Sequence, residues 1–373
     1  MSELKSLIEI SRFYGDNPAF VIAGGGNTSY KNSDQIWIKA SGIPLAGIGA
    51  DGFVSLSRSG LGLIESNIYS QDPLLREEEV KADMKRAIIS PENLRPSVET
   101  SLHNLIDYTF VIHTHPTLVN ALMCAMNVMQ EVEDRFGEEA LYVEYTDPGF
   151  ILFKKLQERI GTYEKKQGKA PQIIFLQNHG VFVGADSVNE INELYHKIEL
   201  NIHSGKELSL PSSASEDYNS RTSKTIKQHF ASRDLKSRSV QCALIDHFVT
   251  SPTQFQKISK PFSPDIIVYC KSNYLFLQKG AEGAQVIEEL EKFEQTHGYY
   301  PKVVIEEQGG LIVVEENDQS MQTVIEVFLD LMKISYLSES FGGPHFMTPD
   351  QIHFIDNWEV EHYRRKVAKD AKG

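Results

Sequence analysis

The 373-residue sequence has few cysteines, no long apolar run and no excess of basic residues, and each lack removes a class of protein. Cys124, Cys242 and Cys270 lie far apart with no CxxC spacing, which excludes both a disulfide framework and a thiolate metal site. Any metal would need histidine and carboxylate ligands instead. No stretch reaches the roughly 18 apolar residues of a membrane-crossing helix. The opening MSELKSLIEISRFYG interleaves Leu4, Leu7, Ile8 and Ser11 with Glu3, Lys5, Glu9 and Arg12 at helical spacing. That describes an amphipathic surface helix and lacks the apolar centre of a secretion signal. A cytoplasmic chain with no membrane partner is expected. Thirty-seven basic against 51 acidic side chains leave a formal charge of −14. Such a field opposes nucleic-acid backbones, and no basic patch overrides it, so no nucleic-acid partner is expected.

What is present is the composition of a soluble globular chain, 41% apolar and 24% charged, which excludes disorder and a fibrous repeat. At roughly 150 residues per domain the length predicts about two domains. The first half reads as mixed α/β. QIWIKAS (35 to 41) alternates as a strand, a helix is predicted after Pro96 with Ser97 as its cap and Glu99 in its first turn, and FVIHTH (110 to 115) is a buried strand stopped by Pro116. Helical spacing resumes from Pro116 to Met129. PQIIFL (171 to 176) is a second buried strand, followed by Gln177-Asn178-His179-Gly180, VFVGA and a helix cap at Asp186/Ser187. The serine-rich stretch 206–224 reads as a linker or exposed loop. Beyond it, IIVYC (266 to 270), a helix around 281 to 297, KVVIEE, GLIVVEE and a helix from Asp318 predict a small α/β unit over 225–373. No fixed-period repeat is visible.

His113 and His115 are two apart on a predicted strand, so both imidazoles leave the same face and can reach one ion. His179 follows another buried strand. Three imidazoles converging from strand ends leave open positions on a Zn²⁺-like ion, the pattern of a catalytic rather than a structural site. A single such histidine is ordinarily a core or capping residue, and His103 and His196 are read that way; HTH together with Asn-His-Gly favours ligands. Glu99 is a candidate proton shuttle beside a metal, although a carboxylate at a helix start also favours the macrodipole, and spacing does not separate the two roles. GGGNTS (24 to 29) can wrap an anion with successive N–H groups, and Ser41-Gly42 can add a hydroxyl and an N–H, but a plain turn fits as well. The run is not a dinucleotide fingerprint, since the third glycine and the following helix are missing.

In order along the chain, GGGNTS, KASG (39 to 42), RPSVETSLH (95 to 103), VIHTHP (111 to 116) and LQNHG (176 to 180) resemble the class II aldolase/adducin family over about residues 5 to 205. The remainder, including SPDIIVYC and FGGP…DNWEVEHYRR, resembles the aldolase part of rhamnulose-1-phosphate aldolase/short-chain dehydrogenase fusions, without a Rossmann signature following. The resemblance implies a three-layer α/β/α domain around a mostly antiparallel sheet over 1–205, assembled as a homotetramer with sites near subunit interfaces. It implies Zn²⁺ or another divalent metal on His113, His115 and His179, with Glu99 as acid/base. Gly26, Asn27, Ser41, Gly42 and Ser97 map to the phosphate pocket, with Val98 standing where sugar-phosphate aldolases often carry a second serine. The implied activity is cleavage of a ketose 1-phosphate, rhamnulose-1-phosphate-like, to dihydroxyacetone phosphate and an aldehyde. Epimerisation, decarboxylation or dehydration on the same fold, and a non-catalytic adducin-like module, are the alternatives. Trp358 and Glu359 in the C-terminal unit offer no chemistry, and that unit is expected to be structural.

Overall fold

The computed structural model describes residues 2–357; Trp358 and Glu359 lie outside the described residues. The described chain forms two compact units, one of residues 2–123 and 128–206 and the other of residues 124–127 and 207–357. Among the described residues no helix is long and apolar enough to cross a membrane.

Unit 1 begins with α1 (Ser2–Gly15), β1 (Asn27–Lys31), β2 (Gln35–Lys39), β3 (Phe53–Ser57), α2 (Arg58–Ser66), α3 (Pro73–Arg86) and β4 (Ile88–Ser90). It continues with α4 (Thr100–Leu105), β5 (Phe110–Thr114), α5 (Thr117–Met123), α6 (Val128–Phe136), β6 (Leu141–Val143), α7 (Phe150–Gln167), β7 (Ile173–Leu176), β8 (Gly180–Ala185) and α8 (Val188–His203). Its eight strands form one sheet in the order β4-β3-β2-β1-β5-β8-β7-β6. Every neighbouring pair is antiparallel except β6 and β7, which α7 connects as a crossover. The central strands β5, β7 and β8 are buried throughout, which explains why they read as unbroken apolar runs. One face packs Val111, Ile174 and Phe182 under Leu61, Leu102, Leu152 and Leu156 from α2, α4 and α7. On the other face Tyr14 of α1 lies 4.6 Å from Tyr195 of α8, whose hydroxyl bonds Thr114 of β5 at 2.7 Å. Helices on both faces of a mostly antiparallel sheet give the expected layers.

Two details differ from the sequence reading. The helix after Pro96 starts two residues late, because Ala40 pairs with Pro96 as an isolated bridge and Ser97 then forms a turn, its hydroxyl accepting from the Glu99 N–H at 3.2 Å. Glu99 rather than Ser97 therefore holds the N-cap position, without a side-chain cap bond. The helical pattern from Pro116 to Met129 is two helices, interrupted at residues 124–127 where Ala125 bridges Pro344 inside unit 2.

Unit 2 contains β9 (Glu216–Asp217), α9 (Arg221–Ala231), β10 (Lys236–Gln241), α10 (Ala243–Phe248), α11 (Pro252–Gln256) and α12 (Pro264–Cys270). Then come β11 (Leu275–Leu277), α13 (Ala284–His297), β12 (Val303–Glu306), β13 (Leu311–Glu315), α14 (Asp318–Ser338) and α15 (Pro349–Asn357). Regular structure thus begins inside the serine-rich stretch, where Ser220 and Ser223 form a capping box for α9. IIVYC is helical, with Pro264 at the start of α12 where a missing N–H costs nothing. The sheet order is β11-β12-β13-β10-β9, parallel only between β11 and β12. Ile226, Phe230, Val286, Leu290, Val304 and Ile312 form its core on one face.

Candidate metal centre

The antiparallel registers place the candidate groups. In β5, His113 stands opposite Asn27 of β1 on one side and Phe182 of β8 on the other. Its imidazole is fully buried and stacks on the Phe182 ring at 4.1 Å. The His113 Nδ1–H donates to the Val181 carbonyl at 3.0 Å, since a carbonyl can only accept, and this fixes the tautomer that leaves Nε2 as the ligand atom. That Nε2 lies 3.0 Å from Nε2 of His115.

His179 is presented by a turn with a special backbone. Asn178 takes a left-handed φ of 55° and donates its N–H to Met123 O at 3.2 Å, and the His179 N–H returns to Leu176 O at 3.2 Å. Gly180 must be glycine for the turn to close, because a Cβ there would sit 2.5 Å from Thr114 O and 2.7 Å from Cδ2 of His115. The three imidazoles consequently converge, with ligand atoms all within 4.8 Å of one another.

Glu99 completes the group. One carboxylate oxygen, Oε1, is 3.4 Å from Nε2 of His113 and 3.5 Å from Nε2 of His179, and the other accepts from the Asn27 amide. Three nitrogen donors, one of them oriented by a backbone carbonyl, beside a carboxylate are a set that fits a divalent ion such as Zn²⁺.

The segment carrying Glu99 is held from β1. Asn27, Ser29 and Lys31 alternate along that strand and so share a face. Asn27 reaches Glu99, Ser29 Oγ bonds His103 Nδ1 at 2.8 Å, and Lys31 Nζ donates to His103 O at 2.9 Å. Burial, reinforced by nearby Arg58, pushes the Lys31 ammonium down to about 7. His103 is held well below the usual imidazole range by burial first, then by His113 and Lys31. His103, read from sequence as an ordinary core histidine, is indeed fully buried. Sequence reasoning does not single out Ser29 and Lys31; the run of polar residues at alternate positions of a strand is the signal that marks them.

The five residues mapped to a phosphate pocket are partly committed elsewhere. The Asn27 amide serves Glu99, the Ser41 N–H donates to Arg95 O at 2.8 Å, and the Ser97 hydroxyl accepts from Glu99. Ser41 and Ser97 are brought together, because the Ala40–Pro96 bridge joins KASG to RPS. Gly26, at φ 69°, is required for close approach, a Cβ there meeting His113 O at 2.9 Å. Gly42 is half-buried at φ 84°. Tyr145, also missed, donates its N–H to the Gln177 side chain at 3.1 Å beside the His179 turn, and burial raises both its phenol and the Asp147 carboxyl. A tyrosine ahead of Thr-Asp-Pro-Gly carries no spacing signal.

Residues 5–201 match the family model for the class II aldolase and adducin N-terminal domain, and the chain belongs to that family. A curated relative, an uncharacterized oxidoreductase of Bacillus subtilis, is 29% identical over 187 residues, which are 48% of this chain. The match spans about a quarter of that relative, 26% of its length. Among solved structures, the N-terminal class II aldolase domain of a conserved Thermoplasma acidophilum protein is 24% identical, covering 54% of this chain and 92% of that one, with a TM-score of 0.46. The L-fuculose-1-phosphate aldolase of Thermus thermophilus is 15% identical, covering 53% and 90%, with a TM-score of 0.33.

Proposed function

We propose that the chain is a metal-dependent sugar-phosphate aldolase that cleaves a ketose 1-phosphate, rhamnulose-1-phosphate-like, reversibly to dihydroxyacetone phosphate and an aldehyde. The observation that carries this reading is the convergence of His113, His115 and His179 with a Glu99 oxygen within 3.5 Å of two of the imidazoles. His113, His115 and His179 would hold the ion, Zn²⁺ or another divalent metal. When bound, the ion supplies Lewis-acid stabilisation of the charge that develops on the substrate oxygens, worth several kcal/mol.

The chain's own groups supply the rest. Asn27 holds one Glu99 oxygen and so aims the other toward the imidazoles. As C3–C4 breaks, the C4 hydroxyl gives up its proton to solvent and becomes the aldehyde carbonyl, and the bonding pair stays on C3 of the dihydroxyacetone phosphate half. The Glu99 carboxyl delivers a proton to C3; in the reverse direction Glu99 removes it. Ser41, Gly42 and Ser97, gathered by the KASG–RPS bridge, are the groups offered to the phosphate. No lysine Schiff base is required. The cytoplasmic location expected from the sequence and the tetrameric assembly implied by the family resemblance belong to the same proposal.

The test is a panel of ketose 1-phosphates with added Zn²⁺, read by dihydroxyacetone phosphate release. Release from at least one of them, abolished by a chelator, is expected. Glu99→Gln should lower the rate by about 10²–10⁴-fold while metal stays bound. Metal-loaded protein that cleaves none of the panel overturns the aldolase reading.

A further inference from the structure

Unit 2 repeats the half of unit 1 that carries the candidate metal group. Read from the flank inward, β1-β5-β8-β7-β6 of the first sheet corresponds to β9-β10-β13-β12-β11 of the second, with the same strand directions at every step. The registers agree residue for residue. His113 opposite Phe182 becomes Ser239 opposite Ile312, Thr114 opposite Val181 becomes Val240 opposite Leu311, and Leu141 opposite Ile174 becomes Leu275 opposite Val304.

The turns agree as well. Asn178 and Gln308 share the left-handed φ, at 55° and 56°. Asn178 donates to Met123 O at the end of α5, and Gln308 to Val249 O at the end of α10. Gln177 donates to Val143 O and Glu307 to Leu277 O, while His179 returns to Leu176 O and Gly309 to Glu306 O. A Cβ on Gly180 would meet Thr114 O at 2.5 Å, and one on Gly310 would meet Val240 O at 2.6 Å. Both crossover helices, α7 and α13, run from a positive-φ glycine to a left-handed glycine, Gly149 to Gly168 and Gly283 to Gly298. Side-chain caps at Ser187 and Asn317 start the helices that follow.

This correspondence assigns Ser239, Gln241 and Gly309 to the positions of His113, His115 and His179. None of them offers an imidazole. The Glu306 side chain, bonded by the Ser220 hydroxyl at 2.7 Å, lies where a side chain on residue 309 would start, its Cγ 2.7 Å from a Cβ there. We infer that unit 2 is a second copy of the metal-bearing half of unit 1, stripped of its ligands, whose backbone still holds the geometry of a three-histidine site. The inference rests on the metal reading of unit 1 only for the identity of the ligand positions.

The test restores the ligands in the full-length chain by Ser239→His, Gln241→His and Gly309→His, with Glu306→Ala to remove the Cγ that a side chain at 309 would meet. Co²⁺ alone is the probe, read by equilibrium dialysis and visible absorbance. The restored chain should bind one more Co²⁺ than the unsubstituted chain, and about tenfold or more tightly than Ser239→His/Gln241→His alone, since a third ligand is added. A folded variant with no tighter site than the two-histidine pair overturns the inference. A second measurement does not depend on the restored variant folding: His115→Ala/His179→Ala should leave no Co²⁺ bound at all, and an ion retained through unit 2 overturns the claim that its ligands are gone. A wild-type chain that binds no Co²⁺ defeats the metal reading of unit 1, while the increment in the restored chain still decides the repeat.

Discussion

The two halves that share a strand order differ most where chemistry is concerned. In unit 1 the turn between β7 and β8 carries an imidazole, and the facing strand end carries two more. In unit 2 the same backbone carries serine, glutamine and glycine, and the space is filled by Glu306. Strand registers, turn hydrogen bonds and the glycine at the turn are common to both. The fold therefore rests on apolar strand faces, the left-handed turn residue and close backbone approach, and the imidazoles add nothing that the architecture requires. Polar burial differs in the same direction. Around β1 unit 1 buries Lys31 and His103, whereas β9, in the corresponding place, is two exposed acidic residues long.

The largest expected contrast comes from paired alanine substitutions. His113→Ala should abolish tight metal binding and lower any aldol activity by on the order of 10³-fold or more, the several kcal/mol that a Lewis acid supplies. Ser239→Ala, at the matching position, should leave both within twofold. Equal effects, read by dialysis and product release, would break the assignment of chemistry to unit 1. Next in size are the turn glycines. Gly180→Ala and Gly310→Ala should each destabilise the chain by about 1–3 kcal/mol in urea unfolding, because a methyl must be forced against a carbonyl. Only Gly180→Ala should also weaken metal binding; a neutral Gly310→Ala would show the two turns to be packed differently. The smallest effect is at the left-handed residues. Gln308→Gly should gain up to about 1 kcal/mol by relieving the Cβ clash, and Asn178→Gly close to nothing, since asparagine visits this region readily.

Much of unit 1 is legible in the sequence. The alternation of QIWIK and the apolar runs around FVIHTH and PQIIFL specify strands, and the two-residue spacing of His113 and His115 specifies a shared face. Glu99 is legible as a carboxylate near a helix start, but its approach to His113 depends on a sheet register that pairs residues far apart in sequence. The competing demands on Asn27 and Ser41 are hidden for the same reason, their partners Glu99 and Arg95 lying on distant segments, whereas the Ser97 hydroxyl serves the Glu99 N–H two residues on. The repeat escapes altogether because matched segments keep no fixed spacing. Fewer residues separate α5 from β6 than α10 from β11, and most matched strand positions differ in residue, as FVIHT of β5 and the matching part of KSRSVQ in β10 do. Burial selects for hydrophobicity and shape, so two copies can drift apart in letters while every hydrogen bond stays in register.

The crossover helices show where such a chain can change length. The helix in unit 1 has 18 residues and its counterpart 14, a difference of about one 3.6-residue turn. Counted from their leading glycines, Leu152 and Leu156 coincide with Val286 and Leu290; counted back from their closing glycines, Tyr163 coincides with Phe293. Removing a whole turn keeps the rotational phase, so both ends continue to bury the same side. A strand has no such freedom, since one residue gained or lost turns every later side chain to the opposite layer. Insertions placed in whole turns within either crossover are therefore the edits this architecture is built to absorb, and the adjoining strands are where a single added residue would scramble it.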